Sequence, residues 1–123
     1  MASSEKRRRG KLAYLSGLAA EGQVRADYLA QGYSFQAERW RGGGAEIDLI
    51  FRKDALLVFV EVKRAATFAR AAESLSAGQR SRIMRAAEVF AAQETAGSLC
   101  DMRFDVALVD ALGTTQILEN AFF

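Results

Sequence analysis

Residues 46–63 read EIDLIFRKDALLVFVEVK. Two short apolar runs flank a polar turn at Arg52-Lys53-Asp54, the pattern of two neighbouring strands in a hairpin. The run LLVFV at 56–60 has no polar alternation, so it predicts a strand covered on both faces. That requirement dictates a sheet with helices on either side. The same segment carries Glu46, Asp48, Glu61 and Lys63. A lone buried carboxylate costs several kcal/mol unless it neutralises or finds a partner, so these charges need an explanation.

The flanking sequence supplies the cover. Residues 17–31 have helical character, with Ser16 as N-cap, Leu18, Gly22, Ala26 and Leu29 on one side, and Gly32 as the stop. YSFQAERW at 33–40 predicts a first strand, and RGGGA at 41–45 a glycine-rich turn. Residues 64–75 read as irregular. Ser76 and Gln79 form the S-x-x-Q pattern of a capping box. The helix it opens runs to about residue 95, with Ile83, Ala87 and Phe90 facing the core and Gly97 ending it. MRFDVALV at 102–109 is a fourth strand, and 115–119 a short fifth. The expected fold is α/β, in the order α-β-β-β-α-β, with a central mixed sheet flanked by helices. Residues 1–15 form a basic tail and residues 16–123 one domain.

Composition excludes several chemistries. The chain's 123 residues include no histidine, which rules out histidine-liganded zinc and every histidine-dependent triad. A single cysteine, Cys100, permits no intrachain disulfide and favours a reducing, cytoplasmic setting. It reads as a small buried residue. The formal net charge of +2 hides an asymmetry. Lys6, Arg7, Arg8, Arg9 and Lys11 crowd the N-terminus, so the remainder is slightly acidic, and any nucleic-acid affinity must come from local patches or the tail. The basic run precedes a short apolar stretch, but Tyr14, Ser16 and Gly17 interrupt it, and it reads as the start of a helix rather than an export signal. No stretch has the length of a membrane span.

Strand alternation puts Glu46 and Asp48 on one face, Glu61 and Lys63 on one face, and Val60 and Val62 on the opposite, apolar one. If the acidic faces coincide, Asp48 and Glu61 converge with Lys63 beside them. Converging carboxylates need a cation, and Mg²⁺ or Mn²⁺ prefers such oxygen ligands. Such a site suits metal-dependent phosphodiester hydrolysis, with the lysine near the attacking water or the phosphate. The plainer alternative is a solvated sheet face with a cross-strand ion pair. Glu46 has a rival role as partner of Arg41 or Arg52. Glu21 has one as the i,i+4 partner of Arg25. Arg103 and Asp105 read as a structural ion pair. Trp40 reads as core or edge packing, with base stacking as the rival. Arg80, Arg82 and Arg85 on the second helix are a solvated face or, with Arg64 and Arg70, a ridge that meets phosphates.

Asp48 followed by Glu61-Val62-Lys63 resembles the signature of the PD-(D/E)xK nuclease superfamily, with Ile47 at the position of the name-giving proline. More narrowly, the chain resembles the YraN family of small bacterial proteins with a restriction-endonuclease-like, Holliday-junction-resolvase-like fold. The matching residues are Gly17 with Glu21, Tyr28-Leu29, Gly32-Tyr33, Arg41, EIDLI at 46–50, VFVEVK at 58–63, Arg82-Ile83 and RFDV at 103–106. The departures are Arg39, Ala45, Ala65, Ala69 and Gln79; those at 65 and 79 remove positive charge.

The resemblance implies a Mg²⁺ or Mn²⁺ ion on Asp48, Glu61 and Val62, with Lys63 as the catalytic lysine and Glu21 reaching the same site. It implies an endonuclease acting on DNA, branched or structured DNA included, more readily than on RNA, and a homodimer. Arg41, Arg64, Arg80 and Arg82 are the candidate nucleic-acid contacts. The other readings are a non-catalytic nucleic-acid-binding module and a protein-interaction subunit that keeps the fold.

Overall fold

The computed structural model describes residues 19–94 and 100–122. Ser16, Leu18, Gly97 and the basic tail lie outside them. A helix, α1, covers residues 19–30. Three strands follow, β1 (Ser34–Gly42), β2 (Ala45–Lys53) and β3 (Leu56–Arg64), then helices α2 (Phe68–Glu73) and α3 (Ala77–Glu94), and strands β4 (Asp101–Val109) and β5 (Thr115–Leu118). The sheet order is β1-β2-β3-β4-β5. The first three strands form an antiparallel meander; α2 and α3 make the crossover that brings β4 in parallel to β3, and β5 closes antiparallel. Among the described residues, no helix is long and apolar enough to cross a membrane.

The two-sided cover predicted from LLVFV is present. Leu57 and Phe59 face a core built with Ile83, Ala87 and Phe90 of α3. Val58 and Val60 face a second core built with Ala20, Val24 and Tyr28 of α1. The stripe on α1 differs from the expected one: Gly22, Ala26 and Leu29 are exposed, and Ala20, Val24 and Tyr28 are buried. The reason is Tyr28, whose ring stacks on Phe51 at 4.5 Å and whose hydroxyl reaches a buried carboxylate. A tyrosine that can bury its ring and satisfy its hydroxyl outranks a leucine one position on.

That carboxylate is Asp105, fully buried on β4. It accepts from the Tyr28 hydroxyl at 2.7 Å, from Arg103 Nε and Nη2 at 2.9 Å each, and from the Asn120 main-chain N–H at 3.0 Å. Arg103 also donates to the Tyr33 hydroxyl at 3.1 Å. The expected Arg103–Asp105 pair is thus part of a network joining α1, β4 and the C-terminal turn. Burial, then the Asp105 carboxylate, holds the Tyr28 phenol above its ordinary value, so it stays a donor.

Residues 64–75 are not irregular throughout, because α2 forms there. Thr67 caps it by accepting from the Arg70 N–H at 3.3 Å, and Ala71 is fully buried beneath β3 and β4. Six residues are too few to show helical periodicity, so the Thr67 cap was the only local signal. At the start of α3 the Ser76 hydroxyl accepts from the Gln79 N–H at 3.1 Å, as the capping box requires. Cys100 is half-buried at the edge of the α3-side core rather than inside it.

Both hairpin turns are tighter than the sequence suggested. Lys53 pairs with Leu56, leaving a two-residue loop, with Asp54 in the left-handed region at φ 54°. Gly42 pairs with Ala45, so the β1–β2 loop is Gly43-Gly44, at φ 59° and 86°. Two positive angles are what a two-residue hairpin turn of matching twist demands. Gly43 has a second constraint. A Cβ there would lie 3.0 Å from Ala86 Cα and 3.2 Å from the Arg85 carbonyl oxygen, both α3 backbone. Gly44 faces open space. Gly43→Ala is therefore expected to cost about 2–4 kcal/mol, from the left-handed penalty plus displacement of α3. Gly44→Ala should cost only about 1–2 kcal/mol. Urea unfolding of the two variants checks the difference; equal losses would mean that the turn does not press on α3.

Candidate functional site

The regular ladder between β2 and β3 ends at Leu49–Val60. Beyond it lie Asp48 on one strand and Glu61 and Val62 on the other, at the open end of the central strands. The main-chain N–H of Val62 donates to Asp48 Oδ2 at 2.8 Å. A side chain thus takes a backbone donor that the ending ladder leaves free.

The alternation of faces also changes at this end. On β2, Ile50 and Ile47 both face the α3-side core, whereas Leu49 and Phe51 face the α1-side core. Strict alternation would put Ile47 with Leu49, so the parity shifts at Asp48. On β1, Ala37 and Trp40 both pack on the α3 side, so a shift occurs there too. Arg39, between them, has φ 45° and lies where the ladder skips the partner of Asp48. A left-handed non-glycine residue costs about 1–2 kcal/mol. In return the Trp40 ring packs edge-on against Phe90 at 5.3 Å, the packing role expected of it. Two irregularities, side by side on neighbouring strands, place Asp48 where clefts on both sides of the sheet reach it.

One cleft, of about 360 Å³, is lined by Ala45, Glu46, Asp48, Glu61, Gln79, Arg82 and Ile83. The other, of about 320 Å³, is lined by Ala20, Glu21, Asp48, Glu61, Val62 and Arg64. Asp48 and Glu61 are common to both. The turn between β2 and β3 therefore brings these two acids together, as the alternation predicted, although the alternation is not regular through Asp48.

Glu61 is only 6% exposed, and its Oε2 is buried without a hydrogen-bond partner. Burial raises its carboxyl well above the ordinary 4.5, to about 9, and hydrogen bonding and charge from Asp48 add to the rise. Lys63 lowers it in part by charge; among the described residues Lys63 makes no ion pair or hydrogen bond of its own. A half-buried lysine beside the buried Glu61, with its ammonium uncommitted, is available to a water or a phosphate.

Glu46 is held by Arg41, with Nη2 and Nε at 3.1 and 3.2 Å from Oε2. Of the two partners considered for it, the structure selects Arg41. Glu21 does not pair with Arg25, whose guanidinium stacks over the Phe35 ring at 3.5 Å. It pairs instead with Arg39, Nη1 to Oε2 at 2.6 Å. Arg39 lies far from Glu21 in sequence and carried no signal of this contact. Among the described residues no three acidic side chains gather closely enough to hold a metal. Asp48 and Glu61 still suit a hard dication: two oxygen donors converge, and one buried oxygen lacks a partner. Val62 can offer only its main-chain carbonyl. Of the basic candidates, Arg82 and Arg64 each line a cleft, Arg41 flanks Glu46, and Arg80 lines neither.

The model of an uncharacterised protein family, UPF0102, matches residues 20–109. A UPF0102 protein of Roseobacter denitrificans is 56% identical over 112 residues, covering 91% of this chain and 87% of the relative. One from Ruegeria pomeroyi is 54% identical over 114 residues, 93% of each. One from Azorhizobium caulinodans is 45% identical over 116 residues, 94% of this chain and 88% of the relative.

The raised Glu61 carboxyl has a consequence for stability without metal. Above pH 4.5 the unfolded chain releases this proton while the folded one keeps it, so stability falls as pH rises and levels off near pH 9. In EDTA, the wild type should lose at least about 1 kcal/mol relative to Glu61→Gln between pH 5 and pH 8. Urea midpoints at the two pH values measure this. A constant gap between the two proteins would mean that Glu61 is ionised in the folded state.

Proposed function

The chain belongs to the UPF0102 (YraN) family, and we propose that it is a Mg²⁺- or Mn²⁺-dependent nuclease that hydrolyses phosphodiester bonds in DNA. The observation that carries this reading is the partnerless buried Oε2 of Glu61 beside Asp48 at the end of the central strands. A structural carboxylate would have been given a donor, since an unsatisfied buried acceptor costs about 1–3 kcal/mol or more. The site thus has a donor set waiting for a cation.

Asp48, Glu61 and the Val62 carbonyl would hold the metal. When bound, the ion supplies charge to a phosphate oxygen and acidity to a water. The protein's own groups do the rest. The Val62 N–H fixes Asp48 through Oδ2. Burial of Glu61 makes its lone oxygen a strong ligand, because ionised it has no competing donor. Lys63, on the same strand, would orient the attacking water as an ammonium or take its proton as the neutral amine. Arg82 and Arg64, which line one cleft each, would meet phosphates of the bound strand.

Two experiments test this. Mn²⁺ should raise the melting temperature of the wild type but not of Asp48→Ala, because a ligand stabilises only the state that binds it. On a panel of single-stranded, duplex, flapped and four-way-junction DNA, Lys63→Ala should reduce Mn²⁺-dependent cleavage by about 100-fold or more. Cleavage that survives unchanged in Lys63→Ala would come from a contaminant and would sink the proposal.

A further inference from the structure

Glu21 lies near enough to Asp48 to feel its charge, yet it is engaged elsewhere. It lines a cleft with Asp48 and Glu61. Its side chain is only 19% exposed, and its Oε2 is gripped by Arg39 Nη1 at 2.6 Å. Burial and the nearby Asp48 raise the Glu21 carboxyl while Arg39 lowers it, so the guanidinium opposes the repulsion among the acids. Arg39 reaches this position through the left-handed backbone that shifts the parity of β1 opposite Asp48. A strained residue at a candidate site, holding one of its acids, points to a role in that site.

We infer that Arg39 is a positioning residue that withholds Glu21 from the metal. The inference rests on the metal-centre reading proposed above. Arg39 and a dication compete for one carboxylate. While Arg39 holds it, the centre has the Asp48–Glu61 pair alone, and the third acid joins only when the guanidinium lets go. With 42% of its side chain exposed, Arg39 has room to swing away. The arrangement keeps three acids from facing one another without a cation, at the expense of metal affinity.

The test is Mn²⁺ affinity by titration calorimetry, which needs no turnover. Arg39→Asn suits the backbone, because asparagine tolerates the left-handed region, so it should keep the fold despite the lost ion pair. It should bind Mn²⁺ about tenfold more tightly, within the usual range of coupling between sites. Arg39→Lys keeps the charge and should stay close to the wild type. The gain must pass through Glu21, so Glu21→Gln should abolish it in the double variant. A general effect of lost positive charge would persist in the Glu21→Gln background and would overturn the inference. So would an Arg39→Asn affinity equal to or weaker than the wild type's. If the wild type binds no Mn²⁺, or Asp48→Ala binds it as well, the metal centre itself is refuted, and the role of Arg39 with it.

Discussion

The β2–β3 ladder stops at Leu49–Val60, and the candidate site exists because it stops there. A ladder continued by two more pairs, to Ile47–Val62, would satisfy the Val62 N–H with backbone. With the ladder ended, Asp48 takes that N–H. Asp48 is thereby fixed beside Glu61, and the two acids share a space open to clefts on both sides of the sheet. The parity shifts at Asp48 and Arg39 belong to the same constraint. They send Ile47 and Trp40 into the α3-side core while Asp48 and Arg39 meet the acids.

The molecule handles its buried acids in two ways. Asp105 is fully buried and fully served, with donors from Tyr28, Arg103 and Asn120. It ties α1 to β4 and has no chemistry left to offer. Glu61 is nearly as buried and has an oxygen with no donor at all. Both sit on the central strands, so burial alone does not separate structure from function. The supply of donors distinguishes the two, and an unserved buried acceptor is rare enough in native structures to call for an explanation.

Much of the scaffold was legible in local patterns. The LLVFV run implied cover on two faces, Ser76 and Gln79 marked the start of α3, and Gly32, at φ 90°, marked the end of α1. Elements whose signals were short or non-local were missed. The α2 helix has one cap and no periodicity. The buried stripe of α1 depended on a carboxylate 77 positions from Tyr28. The tight turns at Gly43-Gly44 and Asp54-Ala55 set strand ends that composition blurred by one or two residues.

For the site, the sequence by itself named the acids and the lysine that could take part and, on the condition that their faces coincide, set Asp48 beside Glu61 across a short turn. Only the tertiary structure decided what each acid does with its charge. It gave Glu46 to Arg41, Glu21 to Arg39 and the Val62 N–H to Asp48, and it left Glu61 Oε2 without a donor. Alternation is a property of two residues in succession and survives in the sequence. Partnership between charges is a matter of distance across elements, and it depends on where a ladder ends, which face a left-handed residue selects and how closely α1 lies against the sheet.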